Sequence, residues 1–173
     1  VNSDNNVIVK DAGGVELLTA QNVTNIKTGN GNDQFNFAKG ATLAGWLDGG
    51  AGDNVLSYEK YVSKITTDLS TDVSPQPVGQ TGFRKATGIG EGVKGIRDVV
   101  GGTKANTLTG DDQANTLTGG ASGDTLTGGS GKDVLLGNKG RDTLTGGPGG
   151  DTLTGGEDSD VYKYSLADLI DAA

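Results

Sequence analysis

The chain has 173 residues, a formal charge of −8 and neither histidine nor cysteine. Disulfides, zinc sites built on nitrogen and sulfur, histidine-based triads and HExxH chemistry are therefore excluded. Its 32 glycines and 32% apolar residues do not suit a conventional globular core. The acidic charge argues against nucleic-acid binding, and no apolar stretch reaches membrane-span length.

Residues 1–100 look irregular, yet their apolar residues keep a nine-residue interval. Ile8, Leu17, Ile26 and Phe35 follow it, as do Leu56 and Ile65; Phe83 comes eighteen residues later, and Val99 leads into Leu108. A fixed short period marks a solenoid. The phase breaks between Phe35 and Leu56, and between Phe83 and Val99, read as bulges or inserted loops in one continuous solenoid, with a separate small β domain as the alternative. Residues 28–33 (TGNGND) and 49–54 (GGAGDN) lie 21 apart. They read as adjacent rungs with a three-residue insertion containing Trp46, and Asp33 and Asn54 are candidates to hold one ion. Residues 70–92 carry Pro75 and Pro77, which cannot both sit in a central strand. That stretch reads as a long excursion or an edge.

Residues 101–163 repeat every nine residues, seven times without a gap: GGTKANTLT, GDDQANTLT, GGASGDTLT, GGSGKDVLL, GNKGRDTLT, GGPGGDTLT and GGEDSDVYK. Position 1 is always glycine, which suggests backbone in the left-handed region at each reversal. Position 8 is leucine six times and then Tyr162; with alternation it points inward while positions 7 and 9, mostly threonine, point outward. Six residues then make a turn and three a strand, so two nonapeptides form one coil. Position 6 reads Asn106, Asn115, Asp124, Asp133, Asp142, Asp151 and Asp160. Turns on one edge recur every eighteen residues at a strand spacing of roughly 4.8 Å. This places Asp124, Asp142 and Asp160 in one column headed by Asn106, and Asp133 and Asp151 in another headed by Asn115. Stacked carboxylates repel, and a hard cation between successive turns relieves this; Ca²⁺ prefers all-oxygen sites of carboxylates and carbonyls.

The tail, YSLADLIDAA (residues 164–173), places Leu166, Leu169 and Ile170 on one helical face after a candidate N-cap, Ser165. It is expected to cap the last rung, with a targeting helix as the alternative. The chain opens on valine, with no visible signal peptide, and is read as an excised segment.

The nonapeptides match G-G-x-G-x-D-x-U-x, with U large and apolar, and so resemble the calcium-binding repeats-in-toxin (RTX) family. The resemblance implies an all-β, right-handed parallel β-roll with two nonapeptides per coil and a short cap. It divides the chain into a metal-poor half (1–100), the calcium roll (101–163) and the cap (164–173). It also implies ions between turns two apart, held by carbonyls of positions 2 and 4 of one turn, carbonyls of positions 1 and 3 of the next, and both position-6 acids. Carried over, the first site takes Gly120, Ser122 and Asp124 with Gly137, Lys139 and Asp142. The second takes Gly129, Gly131 and Asp133 with Gly146, Pro148 and Asp151. The third takes Asn138, Gly140 and Asp142 with Gly155, Glu157 and Asp160. Two weaker sites would pair Asn115 with Asp133 and Asn106 with Asp124, since asparagine offers one neutral oxygen. Position 4 departs from glycine at Lys104, Gln113, Ser122 and Asp158. Residues 47–102 (LDGGAGDNVLSY early, GVKGIRDVVGG late) are similar to phrases preceding calcium repeats in very large bacterial surface proteins.

Three divalent ions would bring the net charge from −8 to −2, and folding is expected to depend on calcium. The resemblance implies export from Gram-negative cells by a type I route and an extracellular or cell-surface location, with calcium as partner and polysaccharide or cell-surface contact as further candidates. The leading function is a non-catalytic structural module of an adhesin or S-layer type. The alternatives are a C-terminal appendage of an exported lipase, protease or alginate epimerase, and ice binding by a Thr-x-Thr face (Thr107/Thr109, Thr125/Thr127, Thr143/Thr145). Open strand edges also invite end-to-end self-association.

Overall fold

A leucine flanked by threonines alternates in and out of a sheet, and in these triplets the leucine is the buried member: Leu108, Leu117, Leu126 and Leu144 are 0% exposed. The computed structural model describes residues 7–10, 16–20, 24–72, 84–87, 89 and 92–164. Phe83, Pro75, Pro77 and all of the expected cap (164–173) except Tyr164 lie outside the described residues. The chain opens with β1 (Val7–Lys10), β2 (Glu16–Ala20), β3 (Ile26–Lys27), β4 (Gln34–Phe37), β5 (Trp46–Asp48) and β6 (Val55–Ser57). β7 (Thr66–Asp72), β8 (Arg84–Ala86), β9 (Gly92–Lys94) and β10 (Asp98–Val100) carry it through the irregular middle. The repeats supply β11 (Thr107–Thr109), β12 (Thr116–Gly120), β13 (Thr125–Thr127), β14 (Val134–Lys139), β15 (Thr143–Thr145), β16 (Thr152–Glu157) and β17 (Val161–Lys163).

Among the described residues the strands form two sheets, ordered β16-β14-β12-β10-β6-β4-β1-β2 and β17-β15-β13-β11-β7-β8-β9-β5-β3. Within the repeats, each strand pairs in parallel with the strand eighteen residues on. Leu108, Leu126, Leu144 and Tyr162 align in one sheet, and Leu117, Leu135 and Leu153 in the other. Two nonapeptides therefore make one coil, and the fold is an all-β parallel β-roll.

The N-terminal rhythm is kept in part. Ile26 pairs with Leu47 and Phe35 with Leu56, both at a separation of 21. The extra three residues sit in the turn 38–45, and Trp46 lies on β5 instead of in the insertion. The spacing of Ile8 and Leu17 is not a coil: β1 runs antiparallel to both β2 and β4. Val9, at 2% exposed, is the buried residue of β1, and Ile8 faces outward beside it.

The second break is a meander. β9 pairs with β5, β8 runs antiparallel to β9 and β7, and β7 joins the repeats through β11. On the opposite sheet β6 passes directly to β10 and β10 to β12. One sheet thus gains two strands at a level where the other gains none. The buried side chains near this mismatch are large, and include Phe37, Leu43, Tyr58, Tyr61, Leu69 and Ile89. Phe37 and Tyr58 lie 5.4 Å apart between ring centres, and Tyr61 meets Tyr58 edge-on at 5.5 Å. The Tyr58 hydroxyl donates to the Thr87 carbonyl at 2.6 Å and that of Tyr61 to the Ala41 carbonyl at 3.2 Å. Burial pushes both phenols up from their ordinary pKa.

Because β11 to β15 each bury a single side chain, truncating one should be costly. Leu135→Ala is expected to lose about 2–5 kcal/mol in calcium-containing buffer, while the outward Leu136→Thr should stay within about 0.5 kcal/mol. Urea unfolding of both variants checks this.

Candidate metal centre

Turns join the repeat strands, and β12, β14 and β16 extend through the first two or three of the six positions expected to turn. Residues 101–106, 119–124, 137–142 and 155–160 stack along one edge, and 110–115, 128–133 and 146–151 along the other. Neighbouring turns bond directly: the Gly129 N–H donates to the Gly146 carbonyl at 3.1 Å and that of Gly131 to Pro148 at 3.0 Å.

Position 6 points inward and is buried in five of the seven turns, at Asn106, Asn115, Asp124, Asp133 and Asp142. Each acid reaches back one coil with Oδ1. Asp124 accepts the Asn106 N–H at 2.6 Å, Asp142 that of Asp124 at 2.7 Å, and Asp160 that of Asp142 at 3.0 Å. On the other edge Asp133 accepts the Asn115 N–H at 2.8 Å and Asp151 that of Asp133 at 2.9 Å. The structure thus gathers the acids into the two columns that the eighteen-residue interval implies.

The second carboxylate oxygen behaves differently. Oδ2 of Asp124 accepts the Gly120 N–H at 2.6 Å. Oδ2 of Asp133 and of Asp142 is buried with no hydrogen-bond partner. In each acidic turn this oxygen folds back over position 1: a Cβ on Gly119, Gly128, Gly137, Gly146 or Gly155 would strike Oδ2 of Asp124, Asp133, Asp142, Asp151 or Asp160. That crowding accounts for glycine at position 1. The left-handed backbone expected there lies instead at positions 2 and 4. Gly129, Gly131, Gly140, Gly147, Gly149 and Gly156 adopt it, as do Asn138 (φ 76°) and Asp158 (φ 75°), residue types that tolerate this region.

This backbone separates the turns into two groups. The last four have left-handed residues at both positions; 101–106, 110–115 and 119–124 have them at neither. The sequence signal is position 4, which is Lys104, Gln113 and Ser122 in the first three turns. Among the predicted carbonyl donors, Gly129, Gly131, Asn138 and Gly140 therefore lie in one turn shape, and Gly120 and Ser122 in the other. Gly137, Lys139, Gly146, Pro148, Gly155 and Glu157 all lie in the later turns. The Lys139 and Glu157 side chains pair at 3.0 Å on the exposed surface, a contact worth little by itself.

Burial pushes the carboxyls of Asp124 and Asp133 up to about 6, against backbone N–H bonds that favour the charged form; the acids next in each column add to the rise. Asp142 is raised for the same reasons, with Asp160 and Asp158 contributing. Among the described residues no three acidic side chains meet at one point, so further oxygens for an ion must come from the backbone. The residues fit a hard divalent cation: two buried carboxylate oxygens lack partners, the chain has no histidine or cysteine to favour a softer metal, and carbonyls crowd the turns.

At the N-terminal rungs amides take over. The Asn54 Oδ1 accepts the Asp33 N–H at 2.8 Å, and its Nδ2 donates to the carbonyls of Gly49 at 2.9 Å and Gly95 at 2.8 Å. Gly95 gave no signal in the sequence, because its turn has shrunk to residues 95–97 between β9 and β10. Asn106 Nδ2 donates to Asp124 Oδ1 at 2.9 Å, and Asn115 Nδ2 to the Arg97 carbonyl at 2.8 Å.

A parallel β-roll with acids stacked in its glycine turns defines a class of ion-binding repeat. Residues 44–58, 100–135 and 127–162 match the RTX calcium-binding nonapeptide repeat, in 4 copies, and this repeat-bearing part of the chain belongs to that family. Its repeats bind calcium. No curated protein matches the chain.

The raised carboxyls fix a pH dependence. Without metal they hold protons more tightly folded than unfolded, so their contribution to stability is present below pH 3.8 and is lost as pH rises through about 6. Calcium needs the ionised form, so its affinity should move the opposite way. Melts followed by circular dichroism at about pH 4.5 and about pH 7.5 should show the EGTA-treated chain more stable at the lower value, and the calcium-induced gain larger at the higher one.

Proposed function

We propose that this chain is a calcium-folded, non-catalytic structural module of a secreted or cell-surface protein, of the adhesin or S-layer kind. The observation that carries the reading is the pair of buried, partnerless oxygens, Oδ2 of Asp133 and Oδ2 of Asp142. A buried acceptor without a partner is costly, and a buried charge more so. A divalent ion supplies the missing positive charge.

Three ions are assigned. One lies between turns 119–124 and 137–142, on Asp124 and Asp142 with the carbonyls of Gly120, Ser122, Gly137 and Lys139. The second lies between 128–133 and 146–151, on Asp133 and Asp151 with those of Gly129, Gly131, Gly146 and Pro148. The third lies between 137–142 and 155–160, on Asp142 and Asp160 with those of Asn138, Gly140, Gly155 and Glu157. Weaker binding is assigned to the pairs headed by Asn106 and Asn115. RTX repeats typically occur in secreted proteins, where calcium is plentiful, which supports an extracellular location. The same module could serve as the appendage of an exported enzyme; a hydrolase motif in flanking sequence would favour that role.

A second reading is ice binding. Thr107, Thr125 and Thr143 stand in register, as do Thr109, Thr127 and Thr145. The array is short: Thr109 meets Asp68 above, and Thr143 and Thr145 meet Val161 and Lys163 below. The structural reading predicts no thermal hysteresis in calcium, and measurable hysteresis would favour ice binding.

Calorimetric titration should find calcium binding to the intact chain and a loss of two ions in Asp142→Ala, since Asp142 serves two of the assigned sites. Circular dichroism should show strand content falling in EGTA and returning with calcium. Unchanged strand content together with no binding heat would refute the proposal.

A further inference from the structure

Asn54 occupies in its turn the place that position 6 holds in the repeats, and one of the stretches matching the RTX repeat, residues 44–58, spans it. Its Oδ1 does what the acids' Oδ1 does: it accepts the N–H of the rung before, Asp33, at 2.8 Å. The other branch differs in sign. In Asp133 and Asp142 it is a buried oxygen lacking a donor. In Asn54 it is a nitrogen whose protons point at carbonyls of its own turn, Gly49 at 2.9 Å, and of the following turn, Gly95 at 2.8 Å, with the Gly52 carbonyl at 3.5 Å. Asn54 is 0% exposed. Carbonyl oxygens from two adjacent coils converging on one buried point is the environment a cation seeks.

We infer that the Asn54 amide stands in for a calcium ion, stapling its coil to the next by hydrogen bonds, and that this makes the N-terminal half a metal-independent template for the calcium-dependent turns. The inference rests on the calcium reading of the later turns and extends it: the same rung is built in two forms, one closed by an ion and one closed by the chain's own NH₂ group. Two further rungs share the device in part. Asn106 donates to the carboxylate of Asp124 at 2.9 Å, and Asn115 to the Arg97 carbonyl at 2.8 Å. Asn106 and Asn115 lie in turns without left-handed residues, whereas the turn of Asn54 has them at Gly50 (φ 70°) and Gly52 (φ 119°), the same two positions as the last four repeat turns. The template has its own apolar core, with Phe35, Phe37, Leu47, Leu56 and Tyr58 each at most 1% exposed. Turning Asn54 into an acid would remove the donors, place a negative charge against the Gly49 and Gly95 carbonyls, and recreate the metal-binding form of the rung.

The single tryptophan, Trp46, sits on β5 in the same coil and reports on this half alone. The test compares the full chain with Asn54→Asp and Asn54→Ala, using Trp46 fluorescence during urea unfolding in EGTA and in calcium, with calorimetric ion counts. The unsubstituted chain should keep a cooperative Trp46 transition in EGTA. Asn54→Asp should lose that transition in EGTA, regain it with calcium, and bind one more ion. Asn54→Ala should be weakened equally in both buffers, with its ion count unchanged. An Asn54→Asp chain as stable as the parent in EGTA, or one that calcium neither rescues nor adds to, overturns the inference. Failure of the calcium reading itself shows separately, as absent binding by the unsubstituted chain.

Discussion

A carboxylate taken out of water must find compensation for each of its oxygens, and the repeats of this chain bury such groups one above another. One oxygen is compensated by geometry: it meets the backbone N–H of the rung eighteen residues earlier. The other, in Asp133 and Asp142, is not compensated by protein at all. Most features of the repeats follow from this asymmetry. Position 1 is stripped to glycine so that the second oxygen can fold over it. In the last four turns positions 2 and 4 adopt a backbone that few side chains accept. The shifted acidities share the same origin, since burial and stacked like charges both favour the protonated form.

The two halves reach cohesion by different routes. One leucine per strand is little apolar surface against the cost of ordering nine residues, so the repeats lean on polar groups and on an ion. The N-terminal half buries aromatic rings where its sheets differ in strand number, and closes its turn with Asn54. The short turn 95–97 and the Arg97–Asp53 pair at 2.9 Å tie the irregular middle to the coil before it. Both halves share the register of a parallel roll, so a template of one kind can extend into the other.

The repeats were legible because each residue type has one task. Leucine at position 8 is buried in five repeats and partly buried at Leu153, threonine beside it faces out, and the acid at position 6 enters a column; spacing alone placed all three. The reason for glycine at position 1 was hidden, because it depends on a side chain five residues on and not on local backbone. The N-terminal end misled for another reason: Ile8 and Leu17 fall on the nine-residue beat, but β1 and β2 pair antiparallel, and Val9 is the residue that turns inward. The meander showed in the spacing only as a break of phase before Val99; that β7 passes β8 and β9 to reach β11 is an exchange of neighbours that spacing does not encode.

The backward reach of each acid gives the array a direction, like overlapping roof tiles. Every tile is pinned by the one laid after it: Asp124 by Asp142, and Asp142 by Asp160. Stripping tiles from the later side bares, in each column, the amide hydrogen that the next acid had accepted. Stripping them from the earlier side leaves the Oδ1 of the next acid without the amide it had accepted. The two faces of any cut through this stack are therefore chemically unlike.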